Sequence, residues 1–355
     1  MMKRILYFVF WVIFCTSCGN FLEEYSQDLV YAQSCEDLDE ILIGNGYMAQ
    51  PTTPSYFSYG DKAFYYPYLH VMDDDIEEYL TGNANISSSI NPVTTLRNFY
   101  IWAKEPFMRI SGLTFRDYDW KRMYEHIGYL NVIISYVKEF HEDSEEMRHR
   151  ILGEAQFLRA GYYFMLVNLY ANPYSKETAD ATMGVPLNLT EYIEEGYFSR
   201  DPVAAVYRQI VTDLENAIVN LSGIKQPTIY RVNEKAARAL LSRVYLYMGE
   251  WQLVIDECDE IIKMGCSLWD LNNFDPGTAT FGCKRDYFLA KESPEIFFTQ
   301  GAGVVGLLMD NQNITSQTRY RASDELYGIY SKYEKDGILD LSLIHISEPT
   351  RPISI

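Results

Sequence analysis

Three groups of residues could do chemistry. The first is the acidic run "DDDIEE" at 73–78. Adjacent carboxylates can serve as an acid–base pair for glycoside hydrolysis or collect a hard cation. Hydrolysis needs the two carboxyls on either side of the scissile bond. A calcium site needs oxygen ligands set out along a defined loop. The residues around this run spell neither, so a solvated acidic turn is the simpler expectation, with Asp74 kept as a candidate contact for a polar ligand. The second group is "RNFYIWAKE" at 97–105, which offers Arg97, Asn98, Tyr100 and Trp102. The third is "FGCKRDYF" at 281–288, which offers Arg285 and Tyr287. An aromatic platform beside a few polar groups suits a sugar, which presents flat C–H faces and rings of hydroxyls. Trp102 stands open between core packing and ligand stacking.

Other chemistry finds no support. The five histidines are scattered, and "HEDSEEMRH" does not have the HExxH spacing of a zinc protease. "GAGVVG" at 301–306 lacks GxGxxG spacing, and neither GxSxG nor a phosphate loop occurs. The expectation is a protein without catalytic residues, resident metal or cofactor. A formal net charge of -19 over 355 residues argues against nucleic acid and against anionic lipid surfaces.

The elements that must position these groups are mostly helical. "SCEDLDEILIGNG" predicts a short helix with a Ser34 cap. Residues 51–118 have no clear period and are rich in Pro, Gly, Asn, Ser and aromatics. A short helix falls around "LRNFYIWAKEPF", and the rest reads as irregular, as a functional loop region would. From Trp120 the period turns helical, through Tyr124, Ile127, Leu130 or Asn131, Ile134 and Val137. A second long helix runs over about 145–170, with Leu152, Ala155, Leu158, Tyr162, Leu166 and Leu169 on one face. A connection over 172–198 follows. Asp201-Pro202 then opens a helix striped by Val203, Val206, Ile210, Leu214, Ala217 and Leu221. Asn233 caps the next, stopped at Gly249, and a last one runs from Trp251 to Gly265. Trp120 and Trp251 lie on helical stripes and read as core.

The pair "RALLSRVYLYMGEWQLVIDECDEIIKMG" resembles a tetratricopeptide repeat, and "FLRAGYYFMLVNLY" looks like a weaker copy. The fold class expected is therefore mostly α: tetratricopeptide-like helical hairpins supporting an irregular, loop-rich binding region. Stacked helix pairs of this kind usually bind or dock.

The N-terminus reads "MMKRILYFVFWVIFCTSC". Its basic start and apolar run, too short to span a bilayer, have the form of a secretory signal. Thr16 and Ser17 before Cys18 resemble a bacterial lipoprotein signal, which makes residues 1–17 the signal peptide and Cys18 the lipidated residue; acyl chains there would anchor the chain stably. Acidic "NFLEE" just after it resembles a surface-export signal.

Several blocks now match one family in order: "WKRMYEHIGYLNVII" (120–134), "GEAQFLRAGYYFMLVNLYANPY" (153–174), "SRDPVAAVYRQIVTDLENAIVNL" (199–221), "YRVNEKAARALLSRVYLYMGEW" (230–251) and "SPEIFFTQG" (293–301). With the Cys18 signal they resemble the SusD/RagB family, nutrient-binding outer-membrane lipoproteins of Bacteroidetes. The resemblance covers 18–340 and implies an outer-membrane, cell-surface location. It also implies a TonB-dependent, SusC-like transporter as partner, with the lipoprotein as its lid, and an oligosaccharide, or in some branches a peptide, as ligand. Readings from other classes remain: a surface glycoside hydrolase using the 73–78 carboxylates, and a tetratricopeptide-type scaffold with no small ligand.

The ending "LSLIHISEPTRPISI" shares no rhythm with what precedes it. Residues 341–351 resemble the translation of a sequencing-library adapter, and the family's chains continue beyond this point. The expectation is a non-native tail over 341–355 on a chain incomplete at its C-terminus. Cys35, Cys258, Cys266 and Cys283 show no disulfide framework.

Overall fold

A computed structural model describes residues 32–48, 65–79, 92–108, 114, 117–192, 198–268, 270, 293–300 and 319–331. Helix α1 (Cys35–Ile41) begins at Ser34, whose hydroxyl accepts the Asp37 amide hydrogen, and runs on into a π-turn over Leu42–Gly46. A 3₁₀ turn (Pro67–Val71), strand β1 (Ile76–Tyr79) and helix α2 (Pro92–Tyr100) follow. The scaffold is α3 (Tyr118–Tyr136), α4 (Glu145–Tyr170), α5 (Val203–Leu221), α6 (Glu234–Met248) and α7 (Trp251–Lys263). Strand β2 (Arg319–Ala322) and helix α8 (Asp324–Ser331) return to the first part of the chain.

Each scaffold helix packs on the next in the chain, and α4 lies at the centre. Its sequence predicts one apolar stripe; the structure buries it on nearly every side, from Ile151 and Ala155 to Tyr162, Tyr163, Leu166 and Val167. Glu154, Gln156 and Arg159 are buried with them, so this helix lies in the interior although its sequence is not apolar all round. Leu152 and Leu169, expected on the buried face, are only partly covered. The crossing with α5 is close at Gly153: a Cβ there would sit 2.6 Å from Leu221 Cγ.

Helix α3 turns Met123, Ile127, Leu130 and Ile133 fully inward, while Trp120, Tyr124 and Ile134 pack at the margin of the core. Gly249, at φ +72°, closes α6 in the left-handed conformation that a glycine accepts without strain. This gives the α6–α7 hairpin its tight turn.

Helix α7 departs further from expectation. Trp251 is 63% exposed, not core. Helix α7 carries an apolar arc wider than α6 can cover. Val254 and Ile261 turn towards the scaffold, while Trp251, Ile255 and Ile262 face out among the described residues.

Asn233 does two jobs at the start of α6. Its side-chain oxygen accepts the Ala236 amide hydrogen at 3.0 Å, and its Nδ2 donates to the Phe297 carbonyl at 2.7 Å. The cap therefore also holds the segment 293–300 against the scaffold. Replacing Asn233 by alanine is expected to cost about 1–2 kcal/mol, seen as a lower urea midpoint with an unchanged denaturant slope. A loss below a few tenths would deny the cap its role.

Candidate functional site

The described part of the loop-rich region is held together by rings. Tyr68 stacks on Phe99 with centroids 4.3 Å apart, and Phe107 meets Phe99 edge-on at 5.1 Å. This cluster ties the 3₁₀ turn to α2. The turn is tied in its own right to α3: the Tyr66 amide donates to Asp119 Oδ2 at 2.9 Å, and Tyr65 meets His126 Nε2 at 2.7 Å with the Arg122 guanidinium over its ring. Burial pushes the Asp119 carboxyl up to about 6, and burial lowers the pKa of His126. The scaffold thus reaches the loop region through buried polar contacts.

Two strands complete the frame. Strands β1 and β2 pair antiparallel, with Ile76 opposite Ala322 and Glu77 opposite Arg321. The Ser323 amide donates to the Asp75 carbonyl at 2.8 Å, and the Asp324 amide to Glu77 Oε2 at 3.2 Å. Between this ladder, the 3₁₀ turn and the end of α2 lies a cavity of about 820 Å³. Its walls are Leu69, Met72 and Ile76, the aromatics Tyr100 and Trp102, Ser323, and the carboxylates Asp73, Asp74, Glu77 and Glu325.

Trp102 is 70% exposed, at φ +50°. Left-handed backbone is uncommon for a bulky residue and costs of order 1–3 kcal/mol, an outlier that points to function. The chain reverses here because the Trp102 amide donates to the Phe99 carbonyl and the Ala103 amide to the Asn98 carbonyl, at 3.0 and 2.8 Å. The indole is left on the cavity rim and not in the core. Tyr100 is half-buried among the cavity's lining residues, and its hydroxyl accepts the Glu78 amide hydrogen at 3.1 Å, which ties it to β1.

The sequence-derived candidates separate into three sets. Asp74, Tyr100 and Trp102 come together around the cavity. Arg97 and Asn98 do not line it. Arg97 Nε lies 3.1 Å from Glu78 Oε1 and so braces β1, and Asn98 Nδ2 donates to the Met108 carbonyl, which closes the loop after α2. Arg97, one turn before Tyr100 on the same face of α2, meets the same strand residue, Glu78, while Asn98 turns to the loop that follows the helix. Arg285, Tyr287 and Cys18 lie outside the described residues, as do the segments 1–31 and 332–355.

Sequence reasoning missed Leu69, Met72, Ile76, Ser323 and Glu325. The last two lie more than two hundred residues beyond Asp74, and only strand pairing brings them to the site. The charge match between "IEEY" and "RYRA" was the available signal.

The acidic turn is exposed. One carboxylate oxygen from each of Asp73, Asp74 and Asp75 falls within 4.8 Å of the others. Asp73 and Asp74 line the cavity from the same turn with Asp75 beside them, so these three by themselves do not flank a bond as a hydrolytic pair must. Their oxygens could meet a cation or accept hydrogen bonds from hydroxyls. No described helix is long and apolar enough to cross a membrane.

A family model described as "Starch-binding associating with outer membrane" matches residues 71–246, from the last residue of the 3₁₀ turn through most of α6. Over this stretch the chain is SusD-like. Its match to a curated SusD-like protein of Formosa agariphila is 26% identical over 267 residues, covering 74% of this chain and 46% of that one. A solved SusD superfamily structure from Bacteroides thetaiotaomicron superposes with a TM-score of 0.56 at 22% identity, over 84% of this chain and 62% of that one. Another, from Bacteroides vulgatus, gives 0.62 at 23% identity, over 86% and 63%. These two likenesses carry the SusD fold, mostly helical with tetratricopeptide-like pairs. The chain spans about half the length of its SusD-like curated relative and less than two thirds of the two structures.

Proposed function

We propose that this SusD-like chain is a cell-surface binding protein. It captures oligosaccharide in the Trp102 cavity, is anchored in the outer membrane through lipid on Cys18, and acts as the lid of a TonB-dependent, SusC-like transporter. It binds its ligand without transforming it. The observation that carries the binding role is the exposed Trp102 indole, held on the rim of a cavity beside Tyr100 and a row of carboxylates. An indole face stacks on sugar C–H groups, and carboxylates accept hydrogen bonds from ring hydroxyls. The glycan reading also draws support from the starch-binding character of the matching family model. The lipid anchor, the transporter and the 18–340 domain bounds follow from the resemblance of the sequence blocks and the Cys18 signal.

Trp102→Ala is the direct test. Removing an anchoring tryptophan at a binding hot spot costs about 2 kcal/mol, or about 30-fold in Kd. Because the side chain is exposed, the thermal midpoint should stay within about a degree or two. Glycan-array binding followed by titration calorimetry reads both arms. Undiminished affinity for every glycan that the wild type binds would remove Trp102 from the site.

A further inference from the structure

We infer that the Trp102 cavity selects its glycans by charge, admitting neutral sugars, favouring those that carry a free amine and turning away polyanionic ones; this rests on the cavity being the glycan site. Four of the residues lining it are carboxylates, Asp73, Asp74, Glu77 and Glu325, and among the described lining residues no Lys, Arg or His balances them. Glu77 is discounted, since it stands opposite Arg321 in the strand register and accepts the Asp324 amide hydrogen. Asp73, Asp74 and Glu325 are exposed and reach the cavity from two sides, the turn before β1 and the start of α8, with Asp75 beside the first two. Arg97, the guanidinium on the same helix as Tyr100, is paired with Glu78 and does not line the cavity.

The consequence follows from the distances over which charges act. A sugar resting on Trp102 shares one cavity with carboxylates from two sides, and charges act over about 8 Å at physiological salt. A uronate or sulfate on that sugar would sit in a field of its own sign, reinforced by the chain's net charge of -19. A neutral sugar loses nothing and gains acceptors for its hydroxyls. A protonated amine gains twice, from the carboxylates and from the indole face, since both attract cations. Charge here is a device of specificity: it rejects wrong ligands as well as holding right ones.

Three hexamers test this by calorimetry at mildly acidic pH: the β-1,4-glucosamine hexamer, its fully N-acetylated counterpart and hexagalacturonate. The glucosamine hexamer should bind at least about tenfold tighter than the acetylated one, and hexagalacturonate at least about tenfold weaker. Raising salt from about 0.05 to 0.5 M should draw the three together. The double variant D74N/E325Q should flatten the order while the acetylated hexamer still binds. Hexagalacturonate binding as well as the acetylated hexamer would overturn the inference. So would a charge order that persists in D74N/E325Q, since it would then belong to the whole surface. Binding of the acetylated hexamer that depends on Trp102, with no charge order, sinks charge selection and leaves the cavity as the glycan site. Failure of all three hexamers, together with an unaltered Trp102→Ala glycan array, sinks the cavity reading and this inference with it.

Discussion

Replacing Arg159 by methionine will lower the free energy of unfolding by about 3–5 kcal/mol, because it strands a buried carboxylate. Arg159 lies in the centre of α4 and grips Asp213 of α5 with two parallel bonds, Nε to Oδ2 at 2.8 Å and Nη2 to Oδ1 at 2.7 Å. The pair is almost wholly buried, with 8% and 2% of the two side chains exposed. Its third donor, Nη1, reaches Asn131 Oδ1 on α3 at 2.9 Å. Asn131 in turn donates to the Asn188 and Thr190 carbonyls, at 2.9 and 3.1 Å. One guanidinium therefore couples three helices and the connection over 172–198. Breaking one partner of such a pair leaves the other charged and desolvated, whereas removing both removes the conflict. Arg159→Met with Asp213→Leu should accordingly be more stable than Arg159→Met alone, by about 2 kcal/mol. Urea unfolding of the four proteins in the cycle measures this. A double variant as unstable as the sum of the singles would show that packing, not charge, made the site matter.

Glu154→Leu is expected to cost about 3 kcal/mol or more, for a related reason with a different reach. Glu154 is fully buried on α4, and burial pushes its carboxyl up against the opposing pull of Arg231. Arg231 Nη2 donates to Oε1 at 3.0 Å, Gln226 Nε2 donates to the same oxygen at 3.1 Å, and the Tyr47 hydroxyl donates to Oε2. Arg231 and Arg150 both extend to Asp39 on α1. The cluster joins the chain's first described helix to its central one and to the loop before α6. Leucine at 154 leaves Arg231 with Asp39 alone and Tyr47 without its acceptor. Loss should therefore appear locally as well as globally, as faster hydrogen exchange in 35–48 relative to the α4–α5 core. Glu154→Gln keeps the shape and an acceptor, and should lose clearly less. Equal losses for Leu and Gln, or uniform exchange across the chain, would contradict a lock at this point.

The scaffold was legible in the sequence because its signals are local. Ser34, Asn233 and Gly249 stand where caps and stops belong, and the structure uses each as such. The apolar period marked α3 to α7 with errors of a few residues, and the order of helix blocks pointed to the SusD family. Tyr100, Trp102 and Asp74 were named from residue type, and the cavity gathers those three.

What periodicity could not tell is what covers an apolar face. Trp251 and Ile261 lie on the same helix with the same spacing logic, yet one is exposed and the other buried. Arg97 and Trp102 occupy one short stretch, yet one is spent on Glu78 and the other stands exposed on the cavity rim. Glu325 joined Asp74 only through the β1–β2 pairing. Helix formation and helix order rest on contacts a few residues apart, so the sequence by itself determined them; of the expected caps, Asp201 does not cap α5 but accepts the Leu187 amide hydrogen from the preceding connection. Exposure, the pairing of each charge and the gathering of one cavity from 69–77, 100–102 and 323–325 rest on contacts between distant segments. Those only the tertiary structure could decide, because which side of a residue is left to water depends on where every other segment comes to lie.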